Sequence, residues 1–477
     1  MLFNSIEFAV FLPVAFLLYW FVFNKKLKLQ NLFIVVVSYI FYGWWDWRFL
    51  VLIAFTSACS YAAGLLIHRF RDNPQKARAV NALNIIINLL ILGLFKYYDF
   101  FVSSFADLFL GGKDDRLLLH LILPVGISFY TFQALSYSID VFKGKLEPTR
   151  DIVQFFAFVS FFPQLVAGPI ERATNLLPQF AKPRSFEYET GVDGMRQILW
   201  GLFKKIVVAD NCAIYVDSVF STYQTQSGST LLLAAVFFAF QIYGDFSGYS
   251  DIAIGTAKLF GIKLMRNFNV PYFSRNIAEF WRRWHISLTT WFRDYVYIPL
   301  GGSRCSKAKI IRNTFIIFLL SGFWHGANWT FIAWGAYHAF LFLPLILSGK
   351  NRRYRDIVAQ DRILPDFKEC GQMILTFILV VFGWIIFRSD SIVQAWEYMR
   401  RICSYSLFTS PDASSVTGFS VAICIMILVE WFQRYKGHAL DLSEVKVGVL
   451  RYATYVAILF LTFALGGHSE NFIYFQF

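Results

Sequence analysis

The sequence predicts an all-α polytopic membrane protein of about eleven spanning helices, and three observations carry that reading. The 477 residues are 57% hydrophobic and only 16% charged, whereas a soluble domain holds about 45–50% apolar and about 25% charged residues. The apolar residues gather into runs close to the ~20 residues that a helix needs to cross a bilayer core of roughly 30 Å. The runs are 6–23, 31–47, 49–67, 83–101, 118–142, 152–167, 229–243, 313–347 (long enough for two spans), 371–388, 417–432 and 450–466. An aromatic share of 19%, with 55 Phe and 14 Trp, suits helices flanked by interfacial aromatic belts.

The first run reads as a retained span. Glu7 stands in place of a basic leader and no small-residue cleavage site follows. The six cysteines are scattered and none lies in a C-x-x-C pair, so free thiols are expected and no metal site. A net charge of +13 would raise nucleic-acid binding in a soluble protein. Here the basic residues sit in short loops, so membrane topology accounts for them and no nucleic-acid partner is expected. Lys25, Lys26 and Lys28 follow the first span. Arg69, Arg71, Lys76 and Arg78 follow the third. Lys143, Lys145 and Arg150 follow the fifth. Even numbers of spans separate these loops, so they share the cytoplasmic side, and the N-terminus is expected on the other. The 102–117 loop, with Asp107, Lys113, Asp114, Asp115 and Arg116, is nearly neutral, as an outer loop should be.

No linker, repeat or low-complexity segment divides the chain, so residues 1–477 read as one integral domain. The middle differs from both ends. Its apolar runs are short, and Pro163, Gly168, Pro169, Gly244, Gly248, Pro299, Gly301 and Gly302 interrupt them. Irregular backbone at membrane depth survives only where protein buries it or a water-filled cavity faces it. Residues 163–330 are therefore the expected catalytic core.

Two of the seven histidines stand out there. His325 lies in Ser321-Gly322-Phe323-Trp324-His325-Gly326, inside a long apolar stretch. Ionisable groups in such places are costly and point to function, and an imidazole can take a proton from a hydroxyl near neutral pH. A core histidine bonded to a neighbouring carbonyl is the alternative. The flanking glycines allow a close approach or a helix break. His285 falls in a segment that reads as one amphipathic helix over 279–294. One stripe holds Trp281, Trp284, His285, Leu288, Trp291 and Phe292; the other holds Glu279, Arg282, Arg283, Thr290 and Arg293. An interfacial helix explains the arginines but not the histidine. The basic residues over 275–312 meet lipid headgroups or form a cationic mouth for a phosphate-bearing donor. His68, His120, His438 and His468 sit near loop ends. His338 lies thirteen residues past His325, about 220° round a helix, and reads as structural. Asp245 and Asp251, amid apolar residues, could orient a histidine, cap a helix start or pair with arginine, and capping or pairing suits them better than direct catalysis. The chain lacks a phosphate loop, an H-E-x-x-H motif and a G-x-S-x-G elbow.

Taken in order, several segments resemble the membrane-bound O-acyltransferase family, in particular its bacterial alginate O-acetyltransferase branch. They are Met1–Ser5, Pro163–Ile170, Asp245–Asp251, Phe280–His285, Trp291–Tyr295 with Ile298–Gly302, Gly322–Gly326 and Asn471–Phe477. The resemblance implies spanning, re-entrant and interfacial helices around a central funnel and tunnel. It implies that His325 matches the family's catalytic histidine, expected to act as general base on a hydroxyl or to relay the acyl group, and that His285 matches a second active-site position, expected to help hold the donor or the developing oxyanion. Substrate binding is then expected at Trp281, Trp284, Trp324, Asp245, Asp251, Arg282 and Arg283. No bound cofactor is implied. The acyl donor would be acetyl-CoA on the cytoplasmic side of a bacterial inner membrane. A periplasmic acetyl-acceptor transferase and polysaccharide export machinery would be the partners, alongside membrane lipid. Peptidoglycan O-acetylation and D-alanyl transfer to teichoic acid are alternatives within the class. A transporter or flippase with a proton-relay histidine is the alternative outside it, and a purely structural assembly subunit is a third.

Overall fold

The computed structural model describes residues 1–109, 117–413, 416–466, 470 and 472–473. Lys113, Asp114, Asp115 and Arg116, His468, Asn471 and Tyr474–Phe477 lie outside the described residues. Regular structure among the described residues is helical throughout. Contacts divide the chain into two compact units, Met1–Gly194 with Ala253–Met265, and Met195–Ile252 with Arg266–Phe477.

The first unit holds α1 (Ile6–Leu17), α2 (Leu27–Gly43), α3 (Phe49–Arg69), α4 (Pro74–Leu92), α5 (Tyr98–Phe109), α6 (Ile127–Phe142), α7 (Ile152–Ser160), α8 (Phe162–Leu165), α9 (Ala173–Phe180) and the start of α10 (Tyr188–Leu202). Local sequence sets the helix starts. Ser5, Asn73 and Asp151 accept hydrogen bonds from first-turn amides of α1, α4 and α7, which otherwise have no helical partner. Polar side chains tie the helices where the hydrophobic effect gives no preference. The Asn84 amide of α4 donates to Ser138 of α6 at 2.9 Å and accepts from Ser60 of α3 at 3.2 Å. The 118–142 run is helical only from Ile127, because Gly126 turns at φ +74°. A Cβ there would meet the Leu165 carbonyl at 2.6 Å. The 152–167 run breaks at Phe161, just before Pro163, whose ring and missing N–H disfavour a continuous helix.

The second unit holds the rest of α10, α11 (Asp210–Ser221), most of α12 (Gly228–Leu259), α13 (Ile277–Arg283), α14 (Ile286–Phe292), α15 (Lys307–His325), α16 (Trp329–Leu347), α17 (Phe367–Arg388), α18 (Ile392–Ile402), α19 (Thr417–Phe432) and α20 (Gly448–Leu465). The 229–243 run continues as helix to Leu259 instead of ending at Gly244. Gly244 and Gly248 do not break α12. They are where the α10 end comes close: a Cβ on Gly248 would stand 2.7 Å from the Gly201 carbonyl, and one on Gly244 would stand 2.9 Å from that of Lys204.

Among the described residues, six helical stretches are long and apolar enough to cross a membrane: Phe49–Arg69, Pro74–Phe109, Gly228–Leu259, Trp329–Leu347, Phe367–Arg388 and Gly448–Leu465. Ile6–Val22, Leu27–Gly43 and Thr417–Phe432 are shorter apolar helices. The chain is thus a multi-pass membrane protein, with fewer full-length helices than apolar runs. α20 exposes Val449, Tyr452, Val456, Phe460 and Phe463, the outward apolar face of a helix that meets lipid.

The 313–347 run is the hairpin α15–α16, as expected. The two helices touch through glycine. A Cβ on Gly322 would meet the Phe331 carbonyl oxygen at 2.1 Å, and one on Gly335 the Phe318 carbonyl oxygen at 2.3 Å. Backbone cannot yield as a side-chain tip can. Gly322→Ala is therefore expected to cost roughly 1–3 kcal/mol, read as a lower unfolding midpoint in detergent. An unchanged midpoint contradicts the close-approach account.

Candidate active site

His325 ends α15. Gly326 takes over in an extended conformation, and a Cβ on it would collide with the Phe331 ring at 2.1 Å. The helix therefore stops at the imidazole. α16 restarts under an Asn328 cap, whose side chain accepts from the Thr330 amide. His325 is 3% exposed and sits among rings: Trp324 at 5.0 Å, Trp334 at 5.1 Å and Phe387 at 5.4 Å between centroids.

His285 arrives by a different route. The single helix expected over 279–294 is two helices, α13 and α14. Trp284 is extended and His285 has φ +42°, a left-handed conformation that a residue with a Cβ adopts only when its surroundings impose it. The surroundings are a strand-like crossing of 267–269 over 283–286. Asn269 N donates to Arg283 O at 2.9 Å, and Ile286 N donates to Asn267 O at 2.8 Å. The Asn267 side chain completes the hold. Its oxygen accepts from the Ser287 hydroxyl at 2.9 Å and lies 3.1 Å from His285 Nδ1, while its amide donates to Ser250 at 3.2 Å. With the amide turned this way, His285 carries its proton on Nδ1 and leaves Nε2 as an acceptor. Burial pushes the His285 imidazole down to about 3, so the ring is neutral at physiological pH. The unfolded chain takes up that proton at a higher pH, so acidification below the usual imidazole range disfavours this fold.

The two imidazoles stand 6.4 Å apart between centroids. Phe246 packs edge-on to His285 at 4.6 Å, and Trp324 touches both rings. Two buried imidazoles thus share an aromatic enclosure, where a proton and a developing charge are felt strongly.

The remaining expected residues fall into three groups. Trp324 borders both histidines. Trp281 and Trp284 lie one layer back. Trp281 donates toward His338 Nδ1 at 3.4 Å, and Trp284 packs on Trp384 at 4.9 Å and Phe268 at 5.0 Å. Asp245 and Asp251 form ion pairs, with lysine rather than arginine: Asp245 with Lys205 at 2.8 Å, Asp251 with Lys204 at 2.6 Å. Asp245 also accepts the Ile473 amide at 2.6 Å. Arg283 and Arg275 flank the buried Glu279 at 2.9 and 3.1 Å. Arg275 also reaches Asp356 at 3.0 Å. Glu279 and Arg283, expected on the outward stripe, are buried because each meets its opposite charge. Arg282 is exposed and donates to the carbonyls of Asn351 and Tyr354.

Asn267, Ser287, Trp334 and Phe387 are site residues that the sequence reading did not single out. No periodicity marks them; each joins the site by tertiary contact. Asn267→Ala should remove the tautomer and ring control of His285. If His285 takes part in the chemistry, activity is expected to fall roughly 10-fold or more, by analogy with the partners that orient metal-ligating histidines, and Asn267→Asp should recover part of it. An equal loss in both variants would reduce Asn267 to a folding role.

Over residues 39–382 the chain matches the family described as MBOAT, membrane-bound O-acyltransferase family. It is 39% identical over 430 residues to the probable alginate O-acetylase of Pseudomonas aeruginosa, covering 89% of this chain and 80% of that one. It is 36% identical to the peptidoglycan O-acetyltransferase of Helicobacter pylori, covering 84% of this chain and 79% of that one. With the teichoic acid D-alanyltransferase of Bacillus subtilis it shares 30% identity, over 56% of this chain and 69% of that one.

Proposed function

The chain belongs to the membrane-bound O-acyltransferase family, and we propose that it moves acetyl groups from a cytoplasmic thioester, acetyl-CoA, toward hydroxyls of an exported polysaccharide such as alginate. The pair of buried histidines in one aromatic enclosure carries this reading. His325 takes the proton of the attacking hydroxyl. The hydroxyl oxygen forms the new ester bond, the carbon–sulfur bond breaks, and the proton passes to the departing thiolate. His285, held with Nε2 as an acceptor, orients that hydroxyl or relays its proton. This tautomer suits acceptance better than donation to an oxyanion. The rings of Trp324, Trp334 and Phe387 keep water from the thioester.

The membrane is the bacterial inner membrane, with the basic loops inside and the N-terminus in the periplasm. A periplasmic acceptor transferase and the export machinery receive the acetyl group. The 36% identity to a peptidoglycan O-acetyltransferase favours a second reading, in which the cell-wall glycan is the acceptor.

Complementation separates the two. Cells lacking their own alginate O-acetylase would receive this gene, and ester-linked acetyl would be measured in secreted polymer and in purified peptidoglycan. Acetyl in the polymer supports the first reading. Acetyl in peptidoglycan alone supports the second. Ester-linked D-alanine without acetyl would overturn both.

A further inference from the structure

The basic residues over 275–312 are largely engaged by protein partners. A basic cluster with fewer carboxylates than cations stands elsewhere, in the first unit. Lys182, Arg184, Lys258 and Lys263 line a pocket of about 230 Å³, with Glu187 as the carboxylate in its wall. Lys258 is balanced by Asp193 at 2.6 Å. Arg184 meets neutral groups only: it donates to Asn31 at 2.6 Å, Gln30 at 3.0 Å and the Gln179 carbonyl at 3.4 Å, and it lies over the Tyr19 and Phe180 rings. A partly buried guanidinium held without a carboxylate is ready for an anion that can accept from it.

The walls are fixed before any ligand arrives. Gln179 bridges α9 to the turn after α12, accepting from Lys263 N at 2.8 Å and donating to Lys263 O at 2.9 Å. Gly261, at φ +69°, makes that turn. The pocket also has a side. Arg184 grips the first turn of α2, directly after Lys25, Lys26 and Lys28, so it opens beside the basic loop that faces anionic lipid or cytosol. Its volume is below the ~300–1,000 Å³ of whole-metabolite pockets. It suits a charged group and its nearest atoms.

From this we infer that the pocket binds a phosphate group on the basic side of the membrane, carried by an anionic lipid headgroup or by the phosphorylated end of a soluble metabolite. The inference does not depend on the acetyl-transfer reading.

The full-length protein in nanodiscs tests it through the unfolding midpoint. One arm adds inorganic pyrophosphate to phosphatidylcholine discs. The other compares phosphatidylcholine with phosphatidylglycerol discs. A raised midpoint in the first arm identifies the soluble source; one only in the second identifies lipid. K182Q/K263Q removes two charges and no side-chain hydrogen bond among the described residues, so it should raise the ligand concentration needed for a given shift roughly tenfold or more, and Arg184→Gln should raise it further. K76Q, at the start of α4, should respond like wild type. The inference is overturned if neither probe shifts the midpoint, or if K182Q/K263Q responds as wild type does.

Discussion

Replacing His325 by Gln is expected to lower acetyl transfer by about 10²–10⁴-fold, the usual contribution of a positioned general base. Glutamine keeps a polar side chain of similar reach but cannot accept and release a proton near neutral pH. The fold should tolerate it, because Gly326 and Phe331 set the end of α15. Membranes holding matched amounts of each protein, given labelled acetyl-CoA, would report the rate. A His325→Gln rate within a few-fold of wild type would make His325 one more ring in the aromatic layer. His285→Gln should cost less, since Asn267 can still hold a hydrogen-bonding side chain near its place.

The second large effect falls on stability. Glu279 is 1% exposed and lies between Arg275 and Arg283. Glu279→Gln leaves two buried guanidinium groups short of a countercharge, with Asp356 and Glu369 as the remaining acids near Arg275. Removing one partner of such a network costs about 3–5 kcal/mol. In a chain of this size the unfolding midpoint should fall by roughly 3–5 °C. The loss should reach the site, because Arg283 O accepts the Asn269 amide two residues from Asn267. Glu279→Asp should recover part of the midpoint. A variant as stable as wild type would show that the arginines are satisfied without Glu279.

Most of the spanning pattern could be read from the sequence, because apolar length and helix propensity are local properties. The 313–347 hairpin and the placement of His325 at its break follow from one apolar run and two glycines. What the sequence concealed depends on partners far along the chain. α12 runs past Gly244 because α10 presses on those glycines. The 279–294 stripe predicts one helix, yet His285 turns left-handed under Asn267, 18 residues earlier. The arginines that read as a cationic mouth are engaged partly by Asp356, 81 residues beyond Arg275. Spacing within a helix carries no trace of such partners.

The acetyl ester content of secreted polymer tests the central claim most directly, in cells that lack their own O-acetylase and carry either the wild-type chain or His325→Gln at equal membrane levels. The wild-type chain should restore esters, and His325→Gln should leave the polymer unacetylated at unchanged yield. Esters restored equally by both chains would contradict catalysis at His325.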